Sequence, residues 1–435
     1  MSGPPDYLLE VGEAVARILA DVHALGPEER PLLEAQGRVL ARDVVSGVTL
    51  PPWDNSAMDG YAVRAADIPR EPVTLRVTET VAAGGFATRA VGAGEAIRIM
   101  TGAPIPEGAD TVIRLEDTDG GVDRVQIRSS RDVLKNVRPR GEDVVAGRVT
   151  VRAGTTLGAA QLGVLAAIGE ASPSVHRAPR VAILTSGDEL VDLDRFEEVR
   201  AGKKIVSSNS YALRALVRAA GGEPVYLGIA ADTRASLREH LARARDCDLV
   251  ITSAGVSVGE FDYVRDVLRE LGAEMRFWRV RMRPGAPLGF GLLGGTPWIG
   301  LPGNPVSSMV TFELFARPAI RKMCGHTRLF RRPVDVELEE PVALTAELTH
   351  FLRAIVTSRG TTRADLHATQ PAGVAPAAHL TARLTGPQGS AILTSMAHAN
   401  ALLVVPPTRP QVAAGETLHA LLLGEDAALA DEFAL

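Results

Sequence analysis

The residues with chemical potential in this chain gather in a few short glycine-bearing segments. Two share one format: an apolar run, then Thr-Ser, then glycine, then acids. In "TSGDEL" the candidates are Ser186, Gly187, Asp188 and Glu189; in "TSAGVSVGEFD" they are Ser253, Gly255, Ser257, Gly259, Glu260 and Asp262. Glycines let a backbone approach a phosphate, and hydroxyls and free N–H groups at a helix start donate hydrogen bonds to it. Acids a few residues on suit a divalent cation or a ribose hydroxyl, because hard cations take oxygen ligands. The same pattern also fits Asp188 and Asp262 as plain helix caps, and the local spacing leaves both readings open.

Three further stretches carry charge or rigidity. "PPWDNSAMDGYAV", residues 51–63, holds Asp54 and Asp59 in a segment that is neither helix nor strand by pattern. It reads either as a surface turn or as a loop that presents acids. "RVRMRPGAPLGFG" sets Arg279, Arg281 and Arg283 at alternate positions on a strand, so they point to one face. Three like charges on one face call for solvent or an anion, and the arginine fork suits phosphate or a tetrahedral oxyanion. "LPGNPVSS" places Pro302 and Pro305 around Gly303-Asn304, a rigid turn before a helix.

Other chemistries find little support. The nine histidines form no HExxH and the two cysteines (Cys247 and Cys324) form no CxxC. A His/Cys metal centre and a disulfide framework are therefore not expected. A net charge of -5 with mixed signs gives no reason to expect nucleic acid or an anionic membrane surface. No apolar run approaches a spanning helix and the N-terminus lacks a signal-peptide pattern, so a soluble cytoplasmic protein is expected. Lysine occurs only at 135, 203, 204 and 322, so nearly all positive charge is arginine and a single arginine says little.

The elements that must position these residues follow from periodicity. Residues 6–23 place Leu8, Val11, Val15, Ile18, Leu19 and Val22 on one helical face. Residues 73–150 carry short strand-like runs ("VTLRV", "AIRIM", "TVIRL", "RVQIR") punctuated by Gly and Pro, which predicts a small β unit. Helical pattern resumes at "TLGAAQLGVLAAIG". From 179 to 325 strands and helices alternate, which predicts a parallel, doubly wound α/β sheet with ligands outside the carboxyl ends of its strands. The loops there are "TSGDE", "AADT" with Asp232, "SAGVSVGEFD" and "PGNP". From about 328 onward alternating runs predict a small β domain. The expected division is 1–45 with 146–176 as an elongated N-terminal domain, 46–145 as an inserted β domain, 177–327 as the α/β domain and 328–435 as the C-terminal β domain.

Several stretches together resemble one family, the molybdopterin molybdenumtransferases, the MoeA-type enzymes that include the E domain of gephyrin. They are "PPWDNSAMDGYAV", "TGAPIPEGADTVIRLED", "RPRGEDV", "TSGDEL", "SNSYAL", "DLVITSAGVSVGEFDYV", "RPGAP" and "WIGLPGNPVSSMVTFELFARPAI". The resemblance covers essentially the whole chain. It implies an elongated homodimer with an active site shared between subunits, acting in the last step of molybdenum cofactor assembly. Molybdate enters the dithiolene of adenylated molybdopterin, the phosphate anhydride is cleaved and AMP leaves, with a divalent cation, usually Mg2+.

Carried over by motif, Asp59, Thr101 of "MTGAP" and Asp143 of "GEDV" line the cleft from the N-terminal domains. Glu189, Asp232, Asp262, Arg279, Arg283, Pro302 and Pro305 come from the α/β domain, and "QGS" adds Ser390. The resemblance assigns cation binding to Asp59, Glu189 and Asp262, and catalysis to these with Thr101 and Asp143. Arg279 and Arg283 stand where lysines are usual, Ala286 where a third lysine is usual, Ala254 where a glycine is, and Ser207 where an acid often is. The competing readings are a molybdopterin adenylyltransferase, which lacks the long N- and C-terminal additions, and a non-catalytic molybdopterin carrier or scaffold. An adenylylating enzyme is a candidate partner.

Overall fold

The computed structural model describes residues 8–253, 263–344, 347–359 and 379–424. Of the candidate residues, Gly255, Ser257, Gly259, Glu260 and Asp262 lie outside the described residues. The chain divides into two compact units, one of Met1–Glu28, Gly37–Ala41 and Ser174–Leu435, the other of Glu29–Gln36 and Arg42–Pro173.

The first unit holds the α/β domain. Seven strands lie in the order Leu8–Leu9, Glu274–Val280, Pro287–Leu293, Thr296–Leu301, Leu249–Ser253, Arg180–Ser186, Glu223–Ala230. The last four run parallel, as the alternating pattern predicts. The sheet is nevertheless mixed, because Pro287–Leu293 runs antiparallel to both its neighbours. Only Gly294-Gly295 separates Pro287–Leu293 from Thr296–Leu301, a link that closes a hairpin, whereas a parallel crossover needs a dozen or more residues.

Both faces of this sheet are covered, which explains its continuous apolar strands. Along Arg180–Ser186, Val181 and Ile183 enter one core with Leu213, Val217, Val306, Val310 and Ile320. Ala182 and Leu184 enter the opposite core with Leu237, Leu241, Val264, Val267 and Trp298. Each such fully buried aliphatic side chain contributes about 1.5–3 kcal/mol. Helices Ser208–Ala219 and Pro305–Thr311 thus cover one face, and Arg234–Ala242 and Tyr263–Glu270 the other. The helix Val11–Ala20 joins the first core through Ala14 and Ile18. Ser186, Ser253 and Leu301 end three adjacent parallel strands at one edge.

The C-terminal β domain is a closed ring of five strands: Thr349–Arg359, His379–Leu384, Pro333–Leu338, Thr417–Leu422 and Ala401–Val405, which pairs back with the first. Closure removes free sheet edges. The short strand Met282–Arg283 adds parallel to Thr349–His350.

In the second unit five strands lie in the order Thr111–Arg114, Gly60–Val63, Glu95–Ile99, Val73–Val81, Arg124–Ile127. Gly60–Val63 is paired on both sides and buried throughout. A Cβ at Gly60 would meet the Ile113 carbonyl oxygen at 1.9 Å, so only glycine fits there. The "DNSAMDGYAV" segment is therefore more ordered than its pattern suggests: Asn55–Ser56 pairs antiparallel with Val137–Arg138, and Asp59 immediately precedes a central strand.

Candidate functional site

A cleft of about 620 Å3 opens at the carboxyl edge of the α/β sheet. Its walls include Ser186, Glu189, Asn209, Ser253, Pro302 and Pro305. Asn209 fastens two of these walls. Its amide donates to Ser253 Oγ at 2.8 Å and to the Gly303 carbonyl at 2.7 Å, so both donor hydrogens are committed. A flipped amide would set oxygen against the Gly303 carbonyl, which has no proton to give. Asn209 Oδ1 is buried and has no partner among the described residues. The "SSNS" segment reads from sequence as a helix start, and nothing in it signals this cross-link.

The C-terminal β domain also reaches the cleft. Asn304 Nδ2 donates to Ser390 Oγ at 3.0 Å, and Val306 N–H donates to the Ser390 carbonyl at 3.1 Å. Ser390 thus joins the "PGNP" turn, and it takes up one of the N–H groups that start the helix Pro305–Thr311. The loop that carries Ser390 is held by Arg353, which is fully buried. Its Nε donates to Ser395 Oγ at 3.1 Å and its Nη2 to the carbonyls of Pro387 (3.3 Å) and Gly389 (3.0 Å). Among the described residues Nη1 has no partner, and burial pushes the guanidinium pKa down. A buried cation without a counter-carboxylate is costly to retain. In sequence Arg353 looks like one more polar position of an alternating strand.

The "TSGDEL" loop faces two ways. Gly187 has φ +151°, and a Cβ there would lie 2.7 Å from both oxygens of the Glu189 carboxylate, so glycine lets Glu189 fold back beside it. Glu189 lines the main cleft. Gly187 and Asp188 instead line a second cleft of about 380 Å3, with Asp192, Lys204 and Tyr226. Asp188 is no helix cap: its carboxylate accepts from the Asp232 N–H at 3.1 Å, while Asp192 caps the helical turn that follows. Partial burial and the Asp188 and Glu189 charges push the Asp232 pKa up. Asp232 thus belongs with these two acids rather than in the wall of the main cleft.

The arginine row is split by its partners. Arg281 Nε pairs with Glu10 at 3.1 Å. Arg279 and Arg283 make no ion pair or side-chain hydrogen bond among the described residues, and neither is among the residues lining the 620 Å3 cleft.

The second unit presents its acids separately. Asp59 Oδ1 accepts from the Thr101 N–H and from the Thr101 hydroxyl, both at 2.7 Å. The backbone hydrogen bond, then the hydroxyl, lowers the Asp59 pKa. Asp54 serves the backbone: its Oδ1 accepts from Arg140 N–H at 2.7 Å and its carbonyl from Ile105 N–H at 2.8 Å. Asp143 is exposed; its N–H donates to the Leu50 carbonyl at 3.1 Å, so the segment that carries it lies along the acid loop.

Among the described residues no group of three or more His, Cys, Asp or Glu is disposed to hold a metal ion by itself. No described helix is long and apolar enough to cross a membrane.

Known proteins share this arrangement. Residues 9–169 match the family model described as the MoeA N-terminal region (domain I and II), 182–322 a probable molybdopterin binding domain, and 335–423 the MoeA C-terminal region (domain IV). The chain is 39% identical over 420 residues to molybdopterin molybdenumtransferase 2 of Mycobacterium tuberculosis, covering 93% of this chain and 97% of that one. The chain belongs to the molybdopterin molybdenumtransferase family. A Staphylococcus aureus member of that family is 32% identical, with 97% of each chain covered. The crystal structure of the molybdopterin biosynthesis moeA protein from Pyrococcus horikoshii OT3 superposes with a TM-score of 0.79 at 30% identity, covering 96% of this chain and 100% of that one. The three matched regions hold, in turn, Asp59 with Thr101 and Asp143, the α/β cleft, and Ser390.

Proposed function

We propose that this chain is a molybdopterin molybdenumtransferase that inserts molybdate into adenylated molybdopterin and releases AMP. It acts in molybdenum cofactor biosynthesis, as its family does. The observation that carries the reading is the 620 Å3 cleft at the carboxyl edge of a sheet within the matched molybdopterin binding domain. Hydroxyls of Ser186 and Ser253 and the Pro302–Pro305 turn line it beside the Glu189 carboxylate. That lining suits a polar heterocycle joined to phosphate.

Each group has a part. Glu189, with Asp232 and Asp262, holds Mg2+ and the nucleotide phosphates. Magnesium is commonly held by a few carboxylates together with substrate phosphates, so the nucleotide would supply the remaining oxygen ligands. When bound, the cation neutralises charge that develops on the anhydride oxygens. Arg279 and Arg283 offset the charge of molybdate and phosphate. Asp59 and Asp143 position the cation or the attacking oxygen, with Thr101 fixing Asp59. The chain works as a homodimer in which Asp59, Thr101 and Asp143 of one subunit complete the cleft of the other.

The experiment is complementation. Asp59→Asn and Glu189→Gln subunits are each nearly inactive in molybdate-dependent AMP release. Mixed dimers regain about a quarter to a half of wild-type turnover, because one of their two sites is intact. Mixed dimers as inactive as either parent would refute the shared site.

A further inference from the structure

We infer that Trp53 and Phe86 form a stacking platform for a planar nitrogen heterocycle, a purine or a pteridine, at the edge of the Asp54–Asp59 loop. Three observations in the second unit carry this. First, the two rings meet edge to face, with centroids 4.9 Å apart and planes at 73°, while both stay open to solvent: Trp53 is 37% exposed and Phe86 60%. A pair at that angle makes a corner. A flat ring set into it stacks on one aromatic face and meets the other side-on, the two geometries that aromatic groups prefer.

Second, a cavity of about 230 Å3 adjoins Phe86. It is walled by Phe86–Ala90 on one side and by Pro104, Ile105, Pro106 and Glu107 on the other. Arg89 and Glu107 are its charged members, Thr88 adds a hydroxyl, and Phe86, Ile105 and the two prolines supply apolar side chains. Third, the platform is fixed to the acid loop. Ile105 N–H donates to the Asp54 carbonyl at 2.8 Å, and Asp54 directly follows Trp53. Thr101, which holds Asp59, begins the segment that runs on to the cavity wall at Pro104. In a chain that is only 4% aromatic, two large rings left open beside this loop are better explained by a ligand than by packing.

The choice of ligand rests on the transferase reading, whose substrate carries both a pteridine and an adenine. The platform itself is tested by binding alone. The other two tryptophans, Trp278 and Trp298, are buried and stacked on each other with centroids 5.7 Å apart, so solvent-exposed tryptophan emission belongs to Trp53.

The full-length protein is titrated with AMP, with a soluble pterin and with ribose 5-phosphate, reading affinity by equilibrium dialysis and, for AMP, tryptophan emission. At least one ring-bearing ligand binds with an affinity that falls about tenfold in Trp53→Leu and stays within about twofold in Trp53→Phe, which keeps a stacking face. If AMP is that ligand, it quenches the exposed emission, and the quench is absent in Trp53→Phe; if the pterin is, the pteridine is the ring held. Ribose 5-phosphate, without a ring to stack, leaves the emission unchanged. Affinities for both rings that are equal in wild type and Trp53→Leu, or no binding of either ring to the wild type, overturn the platform. Such results leave molybdate-dependent AMP release standing. Loss of that release with Trp53-dependent ring binding intact would remove the transferase reading and keep the platform.

Discussion

Asp59 and Thr101 form a closed two-bond contact: a single carboxylate oxygen, Asp59 Oδ1, accepts from both the backbone N–H and the hydroxyl of Thr101 at 2.7 Å. The arrangement leaves Oδ2 free while the carboxylate stays charged. Its folded pKa lies below the ordinary Asp value of about 3.9. The contact therefore adds stability above the unfolded pKa, and that contribution is lost as pH falls through the folded one. Around neutral pH Asp59 is fully ionised, and activity should show no dependence on its titration.

Asp59→Asn keeps an acceptor for Thr101 and removes the charge. Turnover is expected to fall roughly 100-fold with the fold intact, read by AMP release and by circular dichroism. Thr101→Val keeps the charge and loses one donor, for a loss of about tenfold. Full turnover of Asp59→Asn at saturating Mg2+ would show that its charge has no part in the reaction.

Asp232 has the opposite sign. Partial burial and the neighbouring acids raise its folded pKa, so ionising it destabilises the fold. That penalty is present in full above the folded pKa and disappears as pH falls below the unfolded one. Asp232→Asn should raise Tm on the order of 1–2 °C at neutral pH, with the gain fading in acid. The same variant should bind Mg2+ and nucleotide more weakly. Scanning calorimetry at the two pH values decides it, and an Asn variant that melts lower at neutral pH contradicts the assignment.

Asn209 shows how a residue can matter to the cleft without adding stability. Losing its two donated bonds costs about 1 kcal/mol each, but the change also removes a buried Oδ1 that has no partner among the described residues and whose desolvation costs about 1–3 kcal/mol. The terms nearly cancel. Asn209→Ala is expected to change unfolding free energy by less than about 1 kcal/mol, while KM rises about tenfold because the Ser253 and Gly303 walls come apart. Urea unfolding and steady-state kinetics on one preparation would separate the two effects.

Arg353 is fully buried, and its guanidinium donates to Ser395 Oγ and to the Pro387 and Gly389 carbonyls, acceptors that a methionine would leave unsatisfied. Arg353→Met is therefore expected to lower Tm and, by releasing the loop that carries Ser390, to raise KM. Scanning calorimetry and steady-state kinetics on the variant check both effects. An unchanged Tm and KM would show that Arg353 does not hold the loop.

Much of the α/β domain was legible from sequence because strands buried on both faces must be continuously apolar, and the loops after them then fall at one edge. That logic put the loops holding Ser186, Glu189, Ser253, Pro302 and Pro305 at the edge where the cleft lies, and the family resemblance singled out Glu189, Pro302 and Pro305. The mixed pairing was not legible from the alternation of strands and helices; it hangs on the two-residue link at Gly294-Gly295. Nor was the outward turn of Asp188, since a one-residue change of direction at Gly187 sends adjacent acids to different clefts. Asn209 and Arg353 escaped for a third reason. Their partners lie 44 to 94 and 34 to 42 residues away along the chain, so local pattern carries no trace of them.

The most direct test is single-turnover AMP release from adenylated molybdopterin, with molybdate, with tungstate and with neither, each with and without Mg2+, alongside the molybdenum bound to the pterin product. Release that requires molybdate and Mg2+, with one molybdenum incorporated per AMP, is the predicted result. Tight binding of the adenylate with no release, or release at the same rate without any oxyanion, would contradict molybdenum insertion.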